Sequence, residues 1–372
     1  MRDRNHSQRE TCGRIGTKAF AHSISHALSL LVLILLAGCG DSSSSGGEGR
    51  VVWRFAIEEP AGSVQDAYAQ EFKRRIEERT SGDVEVKVYP YGTLGTSDDL
   101  TEQLRMGTLQ FAMASPGHLG KTIPELQVFL LHFVFSDDDE VNLSALRDPD
   151  FRSEVRGLFP EKGLELLALF PEGWMVWTTQ AHIRTPSDFE GVKIRTMTSP
   201  LLLAAYEAYG ASPQAMPYGE VYSALQLNMI DAQVNPLFAI QEMSFYEVTK
   251  CMTFAKPAPF MTTVLSNPNF LGQLEPSRRA LVEDLAMELE AFIHVVEQAE
   301  NEERLKVIQT QKPSMKLVTL TEEEREAFRQ LSSGVHEQFN REVGEGGAIL
   351  LTKLLAAIAS AEALSAKGSL GE

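Results

Sequence analysis

Cysteine is nearly absent: Cys12, Cys39 and Cys251 are the only three in 372 residues. So few cannot make a disulfide scaffold, and no CxxC or paired spacing points to zinc. Long apolar runs are equally scarce, which excludes a multi-span membrane protein. Basic residues are in deficit, 34 Lys and Arg against 51 Asp and Glu, for a net charge of −17. That balance argues against nonspecific nucleic-acid binding. Catalytic signatures are missing as well. There is no HExxH, and none of His118, His132, His182, His294 and His336 has another His at i+4. There is no GxSxG, no GxGxxG and no Walker A motif, so neither a nucleophile elbow nor a nucleotide loop has support. The acidic run 137–140 lacks the alternating ligands and Gly of a calcium loop, and reads better as charge at a helix start. We therefore expect no enzyme, no cofactor and no resident metal.

What is present begins with an address. Arg2, Arg4, Arg9, Arg14 and Lys18 precede one apolar run, residues 27–36, closed by the small residues Ala37, Gly38 and Cys39. About ten residues, all apolar but Ser29, would span only ~15 Å as a helix, about half the hydrocarbon thickness, so a secretory signal over 1–38 is the better reading. Leu36-Ala37-Gly38-Cys39 resembles the bacterial lipobox. That resemblance implies cleavage before Cys39 and lipidation of it, with several acyl chains giving a stable anchor. Residues 39–50, rich in Ser and Gly, read as a flexible tether with a reach of roughly 18 Å. Without residues 1–38 the chain has 29 basic against 49 acidic residues, a net −20. Cys251 is then the one free thiol, and a buried small apolar role suits it.

From residue 51 onward, strand and helix patterns alternate. Residues 51–57 read as a strand, ~63–79 as a helix with apolar positions at helical spacing, 84–88 as a half-buried strand, 97–105 as a helix and 109–114 as a strand. A mostly helical stretch over 137–159 follows, then strands at 164–170, 175–179 and 192–196. Ser199-Pro200 opens a helix in the favoured order and Gly210 stops it. A second alternation covers strands at 214–216 and 231–234, separated by a helix over 218–228. After strands at 252–254 and 260–266, the longest helix runs 276–309, about 50 Å, enough to cross two small lobes. A short strand (315–319) and helices at 322–331 and 347–364 complete the chain. The sum is two α/β lobes with open mixed sheets, helices on both faces and crossing segments between them, a geometry that places ligands in the cleft. The expected division is lobe 1 over about 51–170 plus crossing segments near 260–300, and lobe 2 over about 171–258 plus parts of 300–372.

Binding chemistry has more support than catalysis. Arg195 falls at the C-terminal end of a predicted strand, where open α/β sheets seat ligands. A guanidinium there can grip a carboxylate through two parallel hydrogen bonds, or can pair with one of the many acidic neighbours. Asn235 also follows a strand, and can donate its amide to a ligand oxygen or cap the next helix. Trp174, Trp177 and Tyr218 read as core aromatics or as walls of a cleft.

The run 191–250 resembles a known family. The carrying motifs are Gly191-Val192-Lys193-Ile194-Arg195-Thr196, Gly210-Ala211-Ser212-Pro213, Met216-Pro217-Tyr218-Gly219-Glu220, Ile230-Asp231-Ala232-Gln233-Val234-Asn235-Pro236 and Phe245-Tyr246-Glu247-Val248. Tyr89-Pro90-Tyr91-Gly92-Thr93-Leu94-Gly95, the segment 104–112 and Val134-Phe135 agree. These resemble the DctP-type solute-binding proteins of TRAP (tripartite ATP-independent periplasmic) transporters, over roughly residues 51–340. The resemblance implies a two-lobed periplasmic-binding-protein architecture, type II-like, closing on a small organic acid and delivering it to a membrane permease driven by an ion gradient. It implies that Arg195 is the carboxylate clamp, Asn235 a ligand contact and Tyr218 an aromatic cleft position. First-lobe contacts are implied at Glu58 and Glu59, and at Met113, Ser115 and His118. A chemosensory protein using the same pocket, or an exported two-lobed enzyme, are the alternative functions.

Two departures bear on the ligand. The family commonly has Gly-Gln-Glu-Asn-Pro where this chain has Ala232-Gln233-Val234-Asn235-Pro236. Many sugar-acid and dicarboxylate binders carry a second arginine about twenty residues before the first, where this chain has Trp174-Met175-Val176-Trp177. Loss of a cation and gain of indole lead us to expect a ligand with one carboxylate and an apolar or aromatic body, lined by Trp174 and Trp177.

Overall fold

Alternating apolar residues with β-branched neighbours make Val51–Ala56 the first strand, β1, and Val84–Tyr89 its parallel neighbour β2. Between them lies the helix Val64–Arg79. Ser63 caps its first turn by accepting from the Asp66 amide, and Tyr68, Phe72 and Ile76, four apart, form its buried stripe. The computed structural model describes residues 50–368; the expected signal, Cys39 and nearly all of the tether lie outside the described residues.

Phe111–Ala114 is β3, Glu165–Trp174 β4, Val176–Thr179 β5, Lys193–Thr196 β6, Ser212–Ala215 β7, Ala232–Asn235 β8, Cys251–Phe254 β9, Pro259–Ser266 β10 and Lys316–Thr319 β11. They form two sheets. The first, lobe 1, has the order β2-β1-β3-β10-β4, parallel through β1–β3 and antiparallel at β10. The second, lobe 2, has the order β11-β9-β5-β8-β6-β7, with β6 parallel to β7 and β8, and β5 antiparallel to β8 and β9. This is the two-lobed α/β architecture with open mixed sheets expected from the pattern.

Four segments cross between the lobes among the described residues. Two are the strand pairs β4–β5 and β9–β10, joined to each other where the Met175 amide donates to the Ala258 carbonyl at 3.0 Å. The third is the helix Pro276–Gln311, about 54 Å long, which packs on Val64–Arg79 and β4 in lobe 1 and on Leu237–Glu242 in lobe 2. The fourth is the helix Glu322–Val343, which leads from β11 in lobe 2 back to the last helix on lobe 1. Residues 171–174, read as a break between strands, instead continue β4. Pro171 fits there because β4 is a sheet edge, where a missing N–H costs no ladder bond. The helix expected over 322–331 runs on as Glu322–Val343 and stops only where Gly344 takes a positive φ of 77°. The last helix, Glu345–Gly368, packs on lobe 1 against Asp139–Leu146 and Pro149–Gly157.

Apolar residues fill both faces of each sheet. In lobe 1, Trp53, Phe55, Phe72 and Phe111 meet with ring centroids 5.0–5.7 Å apart. Each such side chain contributes roughly 1.5–3 kcal/mol by leaving water. This packing fixes β1 and β3, and so fixes where the loops after them emerge.

Candidate functional site

The parallel strands of both lobes point their C-terminal ends into the gap between the sheets, and the side chains that follow those ends meet there. From lobe 2 come Arg195 at the end of β6, Tyr218 after β7, and Asn235 and Pro236 at the end of β8. From lobe 1 come Glu58 and Glu59 after β1 and Ser115 and His118 after β3. The lobes touch across this gap: Ser199 Oγ donates to Gln127 Oε1 at 3.0 Å, and the Gly219 amide donates to the Tyr91 hydroxyl at 3.3 Å. The cleft is therefore closed over the site.

Arg195 is only 1% exposed. Its Nε and Nη2 both donate to the Met216 carbonyl, at 3.0 and 2.8 Å, while Nη1 bonds to no described residue. Among the described residues it has no carboxylate partner. Burial pushes its pKa down to about 10, offset in part by the Tyr218 and Tyr91 hydroxyls, so it remains a cation at neutral pH. A buried cation without a counter-charge is costly in a low-dielectric interior. An anion arriving at Nη1 removes that cost, and a carboxylate has the matching planar geometry.

Asn235 is oriented from behind. Its Nδ2 donates to Gln233 Oε1, and Gln233 Nε2 donates to Thr178 Oγ1 at 2.7 Å, which leaves the second N–H of Asn235 for a cleft oxygen. On the opposite wall, Glu58 is 6% exposed; its Oε2 accepts from the Ser115 amide at 2.7 Å and its Oε1 has no partner in the protein. Burial pushes the Glu58 carboxyl up, partly countered by the nearby His118. His118 Nδ1 in turn lies 3.7 Å from Asp98. The Tyr218 hydroxyl is buried without a partner, and burial raises its pKa. The site thus offers one unpaired cation on one wall and one under-bonded acid on the other.

Seven of the residues expected at the site, Arg195, Asn235, Tyr218, Glu58, Glu59, Ser115 and His118, come together here. Three do not. Trp177 is fully buried in lobe 2, where its indole donates to the Tyr206 hydroxyl at 3.0 Å and its ring packs on Phe189 and Phe328. Trp174 lines a different cavity, with its Nε1 donating to Asp139 at 2.8 Å. Met113 points from β3 into the lobe 1 core beside Trp53 and Phe55. The reason is the period of two along a strand, which gives a side chain one of two faces but does not say which face meets the cleft. The indole wall expected of Trp174 and Trp177 is therefore corrected: the apolar surface here comes from Met197, Ala239 and Phe260. No signal in the sequence marked those three. Tyr91 stood within a recognised motif but carried no assigned role.

A larger cavity of about 410 Å³ lies between the crossing strands and the long helix, lined by Trp174, Lys256, His294 and Glu297. Lys256 already stands 5.0 Å over the Trp174 ring, and Glu297 is pushed up to about 8 by burial and by Asp139. The cation of that cavity, Lys256, is only half-buried and also donates to the Asp137 carbonyl, so it lacks the enclosure of Arg195. The smaller cavity around Arg195 is where the chemistry favours binding an acid. No three His, Cys, Asp or Glu among the described residues are grouped to hold a metal ion.

The family described as bacterial extracellular solute-binding protein, family 7, matches residues 55–342. The ectoine/5-hydroxyectoine-binding periplasmic protein UehA of Ruegeria pomeroyi is 39% identical over 312 residues, covering 83% of this chain and 91% of that one. Among solved structures, the periplasmic ectoine-binding protein of the TeaABC TRAP transporter of Halomonas elongata superposes with a TM-score of 0.81 at 37% identity, covering 83% and 99%. A TRAP periplasmic solute-binding protein from Marinobacter aquaeolei, in an apo open structure, gives 0.77 at 41% identity, covering 82% and 100%.

Proposed function

The chain belongs to family 7 of the bacterial extracellular solute-binding proteins, and from that premise we propose how it captures its solute. It works outside the cytoplasmic membrane and delivers a small organic acid to the membrane subunits of a TRAP transporter. The solute's carboxylate docks on Arg195 Nη1 and the free N–H of Asn235. Glu58 faces the other end of the solute and accepts from a charged or neutral nitrogen. The solute is then an acid with one carboxylate and a nitrogen donor at its far end, and ectoine, which the two relatives' names record, has that chemistry.

One observation carries this reading: a fully buried guanidinium without an acid partner opposite a buried carboxyl oxygen without a donor. Neither is stable alone in a dry cleft, and one solute relieves both. Closing is a population shift, limited by how much more tightly the closed form holds solute than the open form does. No residue is asked to break a bond.

The test is thermal unfolding of the exported protein against a library of organic acids. A true ligand at ~100 Kd adds about 2.7 kcal/mol. Monocarboxylates bearing a nitrogen donor should lead, with ectoine among the first tried. A library in which dicarboxylates clearly outbind them would overturn the assignment of Glu58, and one without any responding acid would overturn capture itself. Anchoring through lipid at Cys39 belongs to the same proposal; Cys39→Ser should then move the protein from the membrane fraction to the soluble one.

A further inference from the structure

Beside the solute cavity, which Glu59 lines, lie three carboxyls from three parts of the molecule. Gln65 links two of them, its backbone N–H donating to Glu59 Oε2 at 3.4 Å and its side chain to Glu172. Glu59 follows β1 in lobe 1, Glu172 sits on the crossing strand β4, and Glu242 ends the lobe 2 helix Leu237–Glu242. Glu59 is 5% exposed, Glu172 0%, and the Glu242 side chain 8%. Burial raises the Glu59 carboxyl first, and the neighbouring Glu172 and Glu242 charges raise it further. Gln65 Nε2 donates to Glu172 Oε1 at 3.1 Å, but Glu172 Oε2, both Glu242 oxygens and the nearby Tyr218 hydroxyl have no hydrogen-bond partner.

One positive charge, Arg304, reaches Glu242 and lowers its pKa, but by less than burial raises it. Arg304 of the long helix comes within 3.6 Å of Glu242, yet its hydrogen bonds go to Glu300 at 3.0 Å, Gln241 at 2.8 Å and the Gly62 carbonyl at 3.0 Å. Asp66 and Glu300 add negative charge on the Glu242 side, and Glu58 and Glu297 add it on the Glu172 side. His118 faces Glu58, and Arg195 acts on the Tyr218 hydroxyl rather than on these acids. Burial therefore dominates: it pushes Glu242 up to about 8 and raises both Glu59 and Glu172.

We propose that Glu59, Glu172 and Glu242 form a proton-binding cluster assembled by lobe closure, so that capture of the solute takes up protons. This rests on the capture reading above and names what regulates the same cleft. Rotation about the crossing strands carries Glu242 away from Glu59 and returns both to water, where carboxyls ionise at ordinary acidity. Closing brings the acids together in a dry space, where they cannot all stay charged. The closed form is thus favoured when pH is low, and its advantage is lost as pH rises through the closed-state value near 8. For each proton taken up, the closed-to-open ratio falls up to about tenfold per pH unit.

The test needs no solute. Small-angle scattering of the solute-free exported protein at pH 6 and pH 9 reads the separation of the lobes. The wild type should be more extended at pH 9, and Glu242→Gln, which removes one of the three acids, should change its radius less between the two pH values. If Glu242→Gln does not fold, Glu172→Gln takes its place with the same expectation. A wild-type radius that does not change, or a variant that opens as much as the wild type, overturns the proton link. Either result leaves the capture reading standing, because that reading is decided by the organic-acid library.

Discussion

Arg195 and Met216 are bound by two hydrogen bonds to one carbonyl oxygen, 3.0 Å from Nε and 2.8 Å from Nη2. This holds the guanidinium plane before any solute arrives, so little of its rotamer freedom is lost on binding. The orientation comes from the chain itself, since Met216 follows β7 and Arg195 lies on the adjacent strand β6.

Two substitutions follow from that pair. Arg195→Ala should weaken solute binding by about 2–5 kcal/mol, and Arg195→Lys by at least about tenfold, because an ammonium cannot bond Met216 and a carboxylate in one plane. Unfolding of the solute-free protein should move the other way: removing a buried cation without a partner leaves stability unchanged or higher. Calorimetric titration and denaturant unfolding measure the two effects. Affinity within a few-fold of wild type for Arg195→Ala would mean that the acid docks elsewhere.

Trp177 and Trp174 separate packing from recognition. Trp177 is enclosed by Tyr206, Tyr209, Phe189 and Phe328. Trp177→Ala should cost about 3–5 kcal/mol in unfolding free energy, and the milder Trp177→Phe less. Folded Trp177→Phe and Trp174→Ala should both bind solute within a few-fold of wild type. A tenfold loss of affinity in either, with its denaturation midpoint unchanged, would return an indole to the solute site.

Much of the fold was legible because its signals are local. Ser63 with its apolar stripe, the Ser199-Pro200 start and the long run after Pro276 each specify an element within a few residues. Arg195 and Asn235 were legible as strand-end residues within motifs. The grouping of Glu59, Glu172 and Glu242 was not, since those acids are separated by up to 183 positions in sequence and only the crossing strands bring them together. Met113 shows the same limit on a smaller scale: its strand was read correctly, but the face it occupies depends on helix packing that no local pattern encodes.

His132 makes the protein acid-sensitive. It is buried, with its Nδ1 2.8 Å from the Tyr209 hydroxyl, and the Tyr209 hydroxyl is 2.8 Å from Ser332 Oγ. Burial, with a smaller contribution from His336, lowers its pKa from the usual 6.5 to about 3, so the folded protein holds it neutral. The unfolded chain binds a proton near pH 6.5 that the folded chain refuses. Stability is therefore full above that pH and falls as pH drops toward 3, by up to about 1.4 kcal/mol per unit. His336 is lowered by burial as well and acts in the same direction. Unfolding midpoints between pH 4.5 and 7 should decline less steeply in His132→Asn than in the wild type; equal slopes would assign the acid sensitivity to other groups.

Glu290 ties the long helix to lobe 1. Its Oε1 accepts from Arg152 Nη2 at 2.6 Å and from the Leu169 amide at 3.1 Å, and its Oε2 accepts from Arg152 Nη1 at 2.9 Å. One carboxylate thus joins three elements: the crossing helix, the helix Pro149–Gly157 and β4. Removing only the acid leaves a largely buried guanidinium and a strand amide without acceptors, so Glu290→Ala should cost about 3 kcal/mol. Replacing both partners, as in Glu290→Met with Arg152→Leu, should cost less than the sum of the single changes, since no charge is then stranded. Denaturant midpoints of the four proteins measure that coupling. Solute affinity of the folded variants should stay near wild type, because the pair anchors the frame on which the lobes turn and does not touch the cleft. An additive double variant would mean that Arg152 finds water once Glu290 is gone, and that β4 is held to the helix by apolar contacts alone.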